Sequence, residues 1–291
     1  MLVPLLLRFD APAPPVRHLA VRLTAGDVTT RAVRAGTGDT ILLFLHGYGE
    51  SLVTWQAVLD QVSRRHAVLA VDLPGFGLAD KPDAPYDLPT QLARLTSLVD
   101  HETRGPIVVV GHSMGGALAA ALALERPDRI VAAVLIAPAG DSVGLGGLVD
   151  SVTPREASAV GWWEAARAWA IPVHAPAWLD DGALASYDPF ADKAYRSAAT
   201  RTLSEFDFAA LRPRFPELRQ PVLLLWGELD HIVPLAVGVR LARQIPCAEL
   251  ITFPRTLHRP QVAHPEAVTE AIETFLARHA TRSSRCLQDV R

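Results

Sequence analysis

Only two cysteines, Cys247 and Cys286, occur in 291 residues, and they share neither C-x-x-C spacing nor a nearby histidine at metal-ligand spacing. That scarcity argues against a zinc site or a disulfide framework, and it points to a reducing compartment, the cytoplasm. An excess of one charge is also missing. The 28 Lys and Arg against 31 Asp and Glu leave a formal net charge of -3, which provides no basic field for nucleic acid. No apolar run reaches the length of a bilayer span, so no stable membrane insertion is expected. The apolar stretch Met1 to Leu7 ends at Arg8 and Asp10, and it lacks the basic lead and small-residue cleavage site of a signal peptide. We read residues 1–20 as an N-terminal extension. No internal repeat, H-E-x-x-H or P-loop is present, and Gly75-Phe76-Gly77 lacks the third glycine of a dinucleotide fingerprint. Neither a metal nor a cofactor is therefore expected.

What is present is a rhythm of apolar runs and amphipathic stretches. Thr40–Leu45, Ala67–Val71, Ile107–Val110, Ile130–Ile136, Pro221–Trp226 and Glu249–Phe253 are nearly unbroken apolar runs, as strands covered on both faces require. Helical spacing separates them: Leu88, Leu92, Leu95 and Val99 before one strand, and Val268, Ile272, Phe275 and Leu276 in a final helix from Pro265 to His279. The pattern predicts an α/β fold with a doubly wound, mainly parallel sheet whose ligands meet the strands' carboxyl ends. Residues 139–220 break the rhythm. They hold no strong strand but four tryptophans, Trp162, Trp163, Trp169 and Trp178. We read 139–220 as a helical cap inserted into a core of 21–138 and 221–291. Most of these rings would pack within the cap, and at least one is expected to face substrate.

The most specific local signal is Gly111-His112-Ser113-Met114-Gly115, set between a β-branched strand and an Ala/Leu-rich helix. A strand that reverses so sharply into a helix presents its middle residue, strained, at the sheet's carboxyl edge. Ser113 is thus the candidate nucleophile. A serine hydroxyl needs a base, and the base needs an acid to orient it. Asp230 follows the strand ending at Trp226, and His258 follows the strand ending at Phe253, so both fall on the same edge as Ser113. Glu228 and Asp141 are rival acids; His231 and His264 are rival bases. His46-Gly47-Tyr48-Gly49 follows the first long strand, and the backbone N–H groups of Tyr48 and Met114 are candidate oxyanion donors. The side chain of Tyr48, with Trp162, Trp163 and Trp169, is a candidate lining for the substrate pocket.

Taken together, FLHGYGES, VDLPGFGLADKP, VVVGHSMGGALA, LLLWGELDHIVP and LHRPQVAHPEAV resemble the α/β-hydrolase superfamily, in its capped group with a serine nucleophile. The resemblance covers about residues 38 to 280. It implies Ser113, Asp230 and His258 as a triad, with the amides of Tyr48 and Met114 as oxyanion hole. Leu257 departs from the glycine usual before the histidine. Members that displace a leaving group at saturated carbon use a carboxylate at position 113, so serine here implies acyl transfer. The expected activity is hydrolysis of a small to medium apolar carboxylic ester, a small-molecule partner. Carbon–carbon bond hydrolysis of vinylogous diketones is the alternative, although such members often carry Asn and Trp where this chain has His112 and Arg259. Lactonase, perhydrolase, amidase and thioesterase activities use the same residues, and a small-molecule receptor on this fold is the non-enzymatic alternative.

Overall fold

The computed structural model describes residues 19–140 and 191–279. Trp162, Trp163, Trp169 and Trp178, the rival acid Asp141, and Cys286 lie outside the described residues.

An antiparallel hairpin, β1 (Leu19–Ala25) and β2 (Val28–Ala35), opens the fold. Its first strand begins inside the segment expected as an extension. Six strands follow: β3 (Ile41–Leu45), β4 (Ala67–Val71), β5 (Ile107–His112), β6 (Ile130–Ile136), β7 (Val222–Gly227) and β8 (Ala248–Phe253). The sheet order is β1-β2-β4-β3-β5-β6-β7-β8. β2 runs antiparallel to β4, and every later pairing is parallel. The parallel part of the sheet therefore starts near the middle at β3, winds one way to β4, then returns past β3 to β5 and outward.

Period-two alternation sorts these strands onto two apolar layers. Leu43, Leu45, Val109 and Leu224 face the layer covered by α2 (Leu88–Glu102), α3 (Met114–Glu125) and, later in the chain, α5 (Leu235–Gln244). Leu42, Phe44, Val110 and Leu225 face the opposite layer, closed by α1 (Gln56–Val62) and α7 (Pro265–His279). α3 is buried along nearly its whole length, which its alanines and glycines permit by letting backbone approach backbone. Asp87 caps α2, its side chain accepting the N–H of Thr90 at 2.8 Å.

From residue 191 the chain re-enters as α4 (Lys193–Glu205), capped by Asp192. Tyr195 and Ala199 of α4, then Phe206, Phe208, Leu211 and Phe215, join the apolar layer of α2 and α3. This returning stretch is thus seated on the core. The remaining short helix, α6 (Pro260–Ala263), follows the β8 loop directly.

Among the described residues, no helix is long and apolar enough to cross a membrane. One expectation needs correcting: Cys247, on the turn before β8, is disulfide-bonded. The cysteine count consequently lends no support to a reducing compartment.

Candidate active site

Four loops at the carboxyl edge of the sheet, after β3, β5, β7 and β8, carry the residues singled out by the sequence. At the end of β5, Ser113 has φ 52 and ψ -116, a conformation that costs on the order of 1–3 kcal/mol for a residue with a Cβ. Backbone bonds hold it there. Ser113 N–H donates to Ile136 O at 2.9 Å, and its carbonyl accepts from Ala117 and Ala139, both at 3.0 Å. The flanking glycines are a steric requirement. A Cβ on Gly111 would stand 2.2 Å from Gly115 O, and one on Gly115 would stand 2.3 Å from Leu45 O. Met114 opens α3, so its N–H has no intrahelical acceptor and points out of the helix's positive end.

The loop after β7 places Asp230, 5% exposed. One carboxylate oxygen accepts the N–H groups of Ile232 and Val233 at 2.9 and 3.0 Å. The Trp226 indole N–H donates to Val233 O at 2.8 Å, tying that loop to the strand. The other oxygen meets His258 Nδ1 at 2.7 Å. Asp230 and His258 are thus an oriented, buried pair, and the imidazole's Nε2 is left for other work. Burial pushes His258 below the ordinary histidine range; the Asp230 hydrogen bond opposes this, and the neighbouring His112 reinforces it.

Among the rivals, Glu228 is exposed, with Oε1 accepting from the Thr252 hydroxyl at 3.0 Å. His264 is exposed and stacks on Phe253 with ring centroids 6.1 Å apart. His231 is exposed too. Glu228 and His264 thus spend their contacts away from the Asp230–His258 couple.

The remaining loop follows β3. His46 is fully buried: Nδ1 lies 2.8 Å from Gly47 O, and Nε2 accepts the N–H of Leu73 at 2.8 Å. One donor and one acceptor suit a neutral ring, and burial holds His46 below the usual histidine range. Tyr48 sends its hydroxyl to Ala199 O at 3.1 Å. Its phenol is therefore committed to α4, leaving only its ring for a substrate. In return the Tyr195 hydroxyl of α4 donates to Gly49 O at 3.0 Å, and Phe76 lies edge-on to both tyrosines, at 5.5 and 5.9 Å. Burial raises both phenols above the usual range.

Sequence reasoning passed over Glu50. It is 8% exposed, accepts the Gly47 N–H at 3.0 Å and lies 3.2 Å from His112 Nδ1. Its position three residues after Gly47 in HGYGES was the available signal, since a side chain at that spacing can reach back to a free N–H. Tyr195 was also missed; it lies in a segment with no motif to mark it. Among the described residues, no group of three or more His, Cys, Asp or Glu could hold a metal ion.

The sequence model of the Alpha/beta hydrolase family matches residues 42–271. Over 272 residues the chain is 28% identical to 2-hydroxy-6-oxo-2,4-heptadienoate hydrolase of Pseudomonas putida, covering 87% of this chain and 94% of that one. It is also 28% identical over 251 residues to the pimeloyl-[acyl-carrier protein] methyl ester esterase of Edwardsiella ictaluri, covering 82% and 94%. In three dimensions it is similar to the meta-cleavage product hydrolase of Pseudomonas fluorescens, with a TM-score of 0.72, 23% identity, and 89% and 97% of the two chains covered. The match across most of the described core, together with the shared fold, makes this chain a member of the alpha/beta hydrolase family.

Proposed function

We propose that this hydrolase is a serine enzyme that cleaves a small to medium apolar carboxylic ester through an acyl-enzyme. The observation that carries the reading is the buried 2.7 Å contact between Asp230 and His258 Nδ1, on the sheet edge where Ser113 sits in its strained turn. In this reading His258 Nε2 takes the Ser113 hydroxyl proton as the oxygen attacks the ester carbonyl. The amides of Tyr48 and Met114 hold the resulting oxyanion, each worth about 3 kcal/mol by analogy with other oxyanion holes. The proton then passes to the departing alcohol as the carbon–oxygen bond breaks. Water, deprotonated by His258, attacks the acyl carbon, and His258 hands that proton to Ser113 Oγ as the acyl–Oγ bond breaks and the acid leaves. Asp230 stays ionised and steadies the imidazolium that forms at each step.

The division into a core (21–138 and 221–291) and a cap (139–220) belongs to the same proposal, with the cap supplying the walls of the substrate pocket. Carbon–carbon bond hydrolysis is the second reading, favoured by the likeness to the heptadienoate hydrolase. Against it, His112 and Arg259 replace the Asn and Trp often found in such enzymes, and both approach Glu50, at 3.2 and 3.9 Å.

The test is turnover of p-nitrophenyl acetate and butyrate beside a vinylogous diketone. Ser113→Ala should lose at least about 10³-fold in kcat with unfolding unchanged. A mutant as fast as wild type would remove Ser113 from the mechanism. Preference for the diketone over every ester would move the assignment to the second reading.

A further inference from the structure

His112 and His46 are both buried histidines at strand ends, yet their surroundings differ in kind. His46 faces an acceptor and a donor, the Gly47 carbonyl and the Leu73 N–H. His112 faces two acceptors. Its Nδ1 lies 3.2 Å from Glu50 Oε2, and its Nε2 lies 2.9 Å from the main-chain oxygen of His258. A neutral ring carries one N–H and would leave a bare nitrogen against an oxygen lone pair in a site with 1% exposure. Only a ring with a proton on each nitrogen satisfies both contacts. The same Glu50 oxygen already accepts the Gly47 N–H at 3.0 Å, so it acts as an acceptor toward His112 as well.

Other charged groups around the ring fit this picture. Arg259 Nη1 stands 3.9 Å from the other Glu50 oxygen. Although burial alone would raise Glu50, His112 and Arg259 outweigh it and bring its carboxyl down to about 2. Tyr195 of α4 lies near enough to feel Glu50's charge. Asp230 approaches from the β7 loop but spends its contacts on His258 and the amides of Ile232 and Val233. The His112 and His258 rings are 4.7 Å apart between centroids.

We propose that His112 is a positioning residue held as an imidazolium, which binds Glu50 through one N–H and the His258 carbonyl through the other. One side chain thereby joins three loops: the one after β3 that carries Gly47 and Glu50, the turn at Ser113, and the one after β8 that carries His258. It also sets a fixed positive charge beside the His258 ring, which disfavours a second proton there and keeps the base free at lower pH. The kinetic part of this proposal rests on His258 being the base; the protonation of His112 does not.

The experiment is nitrogen NMR on protein labelled with ¹⁵N in its histidine rings, together with pH profiles of kcat/KM on p-nitrophenyl butyrate. Near neutral pH, one ring should show both nitrogens protonated, and those signals should vanish in His112→Asn. A bare nitrogen at His112 under those conditions overturns the proposal. In the kinetics, His112→Asn removes the repelling cation and keeps the Glu50 anion, so the acid limb should move to higher pH. Adding Glu50→Gln to His112→Asn should move the limb back toward wild type. A limb that stays put while activity falls would leave His112 a merely structural part and overturn the electrostatic role. Should His112→Asn fail to fold, Glu50→Gln alone serves: the His112 ring should then lose its second proton at lower pH than in wild type, and an unchanged titration counts against the proposal. If no ester is turned over at all, the esterase reading falls, while the nitrogen spectrum still decides the protonation of His112.

Discussion

Asp72 and Asp230 occupy equivalent places in the fold and do different things. Each follows the carboxyl end of a parallel strand, β4 for Asp72 and β7 for Asp230, and each is buried. Each accepts two backbone N–H groups: Leu52 and Leu78 at 2.8 Å for Asp72, Ile232 and Val233 for Asp230. The remaining contact differs. Asp72 meets Arg31 Nε at 2.7 Å, and Asp230 meets His258 Nδ1 at 2.7 Å. A guanidinium never gives up its proton in a protein, so the first pair is a permanent brace. An imidazole changes charge near neutrality, so the second can take part in a proton transfer. The carboxylate's surroundings alone do not tell a permanent ion pair from one whose charge can change; its partner's chemistry does.

Substitution at each carboxylate should break the symmetry in opposite directions. The largest effect is expected from Asp230→Asn, which keeps the shape but favours the wrong histidine tautomer; on the proposed mechanism kcat should drop by about 10⁴-fold. Ester kinetics with a parallel melting curve would check it, and a loss of activity matched by a loss of folding would refute a catalytic role. Next comes Asp72→Ala, which strands Arg31, 3% exposed, without its counter-charge. Two of its guanidinium nitrogens, Nη1 and Nη2, already lack a protein partner. Stability should fall by about 3–5 kcal/mol, the usual cost of breaking a buried pair from one side. Denaturant titration measures it, and the kcat of the fraction that remains folded should stay within a few fold of wild type. The smallest effect is in pH. His258 sits below the ordinary histidine range because burial disfavours its charged form. On the proposed mechanism His258 acts as base above its own pKa, so kcat/KM should hold through neutral pH and fall only as the pH drops below the value usual for histidine. A limb at or above that usual value would contradict the burial argument; the Asp72 variant should leave the limb where it is.

Legibility in the sequence followed how local each cause was. The strands Ala67–Val71 and Ile130–Ile136 and the last helix from Pro265 to His279 appear as the residue pattern predicts, because a run buried on both faces and an amphipathic stripe are written in consecutive residues. Ser113 was legible for the same reason: its glycines sit two residues to either side, and its strain belongs to one turn. Asp230 and His258 could be nominated by place, each just past a strand. Their contact could not be read, since 28 residues separate them. Glu50 escaped notice because nothing nearby marks a carboxylate whose partner is 62 residues away. The interlock of Tyr48 and Tyr195 with α4 and the β3 loop spans 151 and 146 residues, and no motif announces it.

The sequence by itself determined the alternation of strand and helix, the sharp turn at Ser113 and the sheet edge on which the candidate residues would meet. These depend on steric and hydrophobic patterns a few residues long. Tertiary structure alone decided which acid faces His258, that Arg31 rather than a histidine faces Asp72, and that two oxygen acceptors close on His112. Protonation and charge depend on neighbours brought together across the fold, where low polarity magnifies each contact.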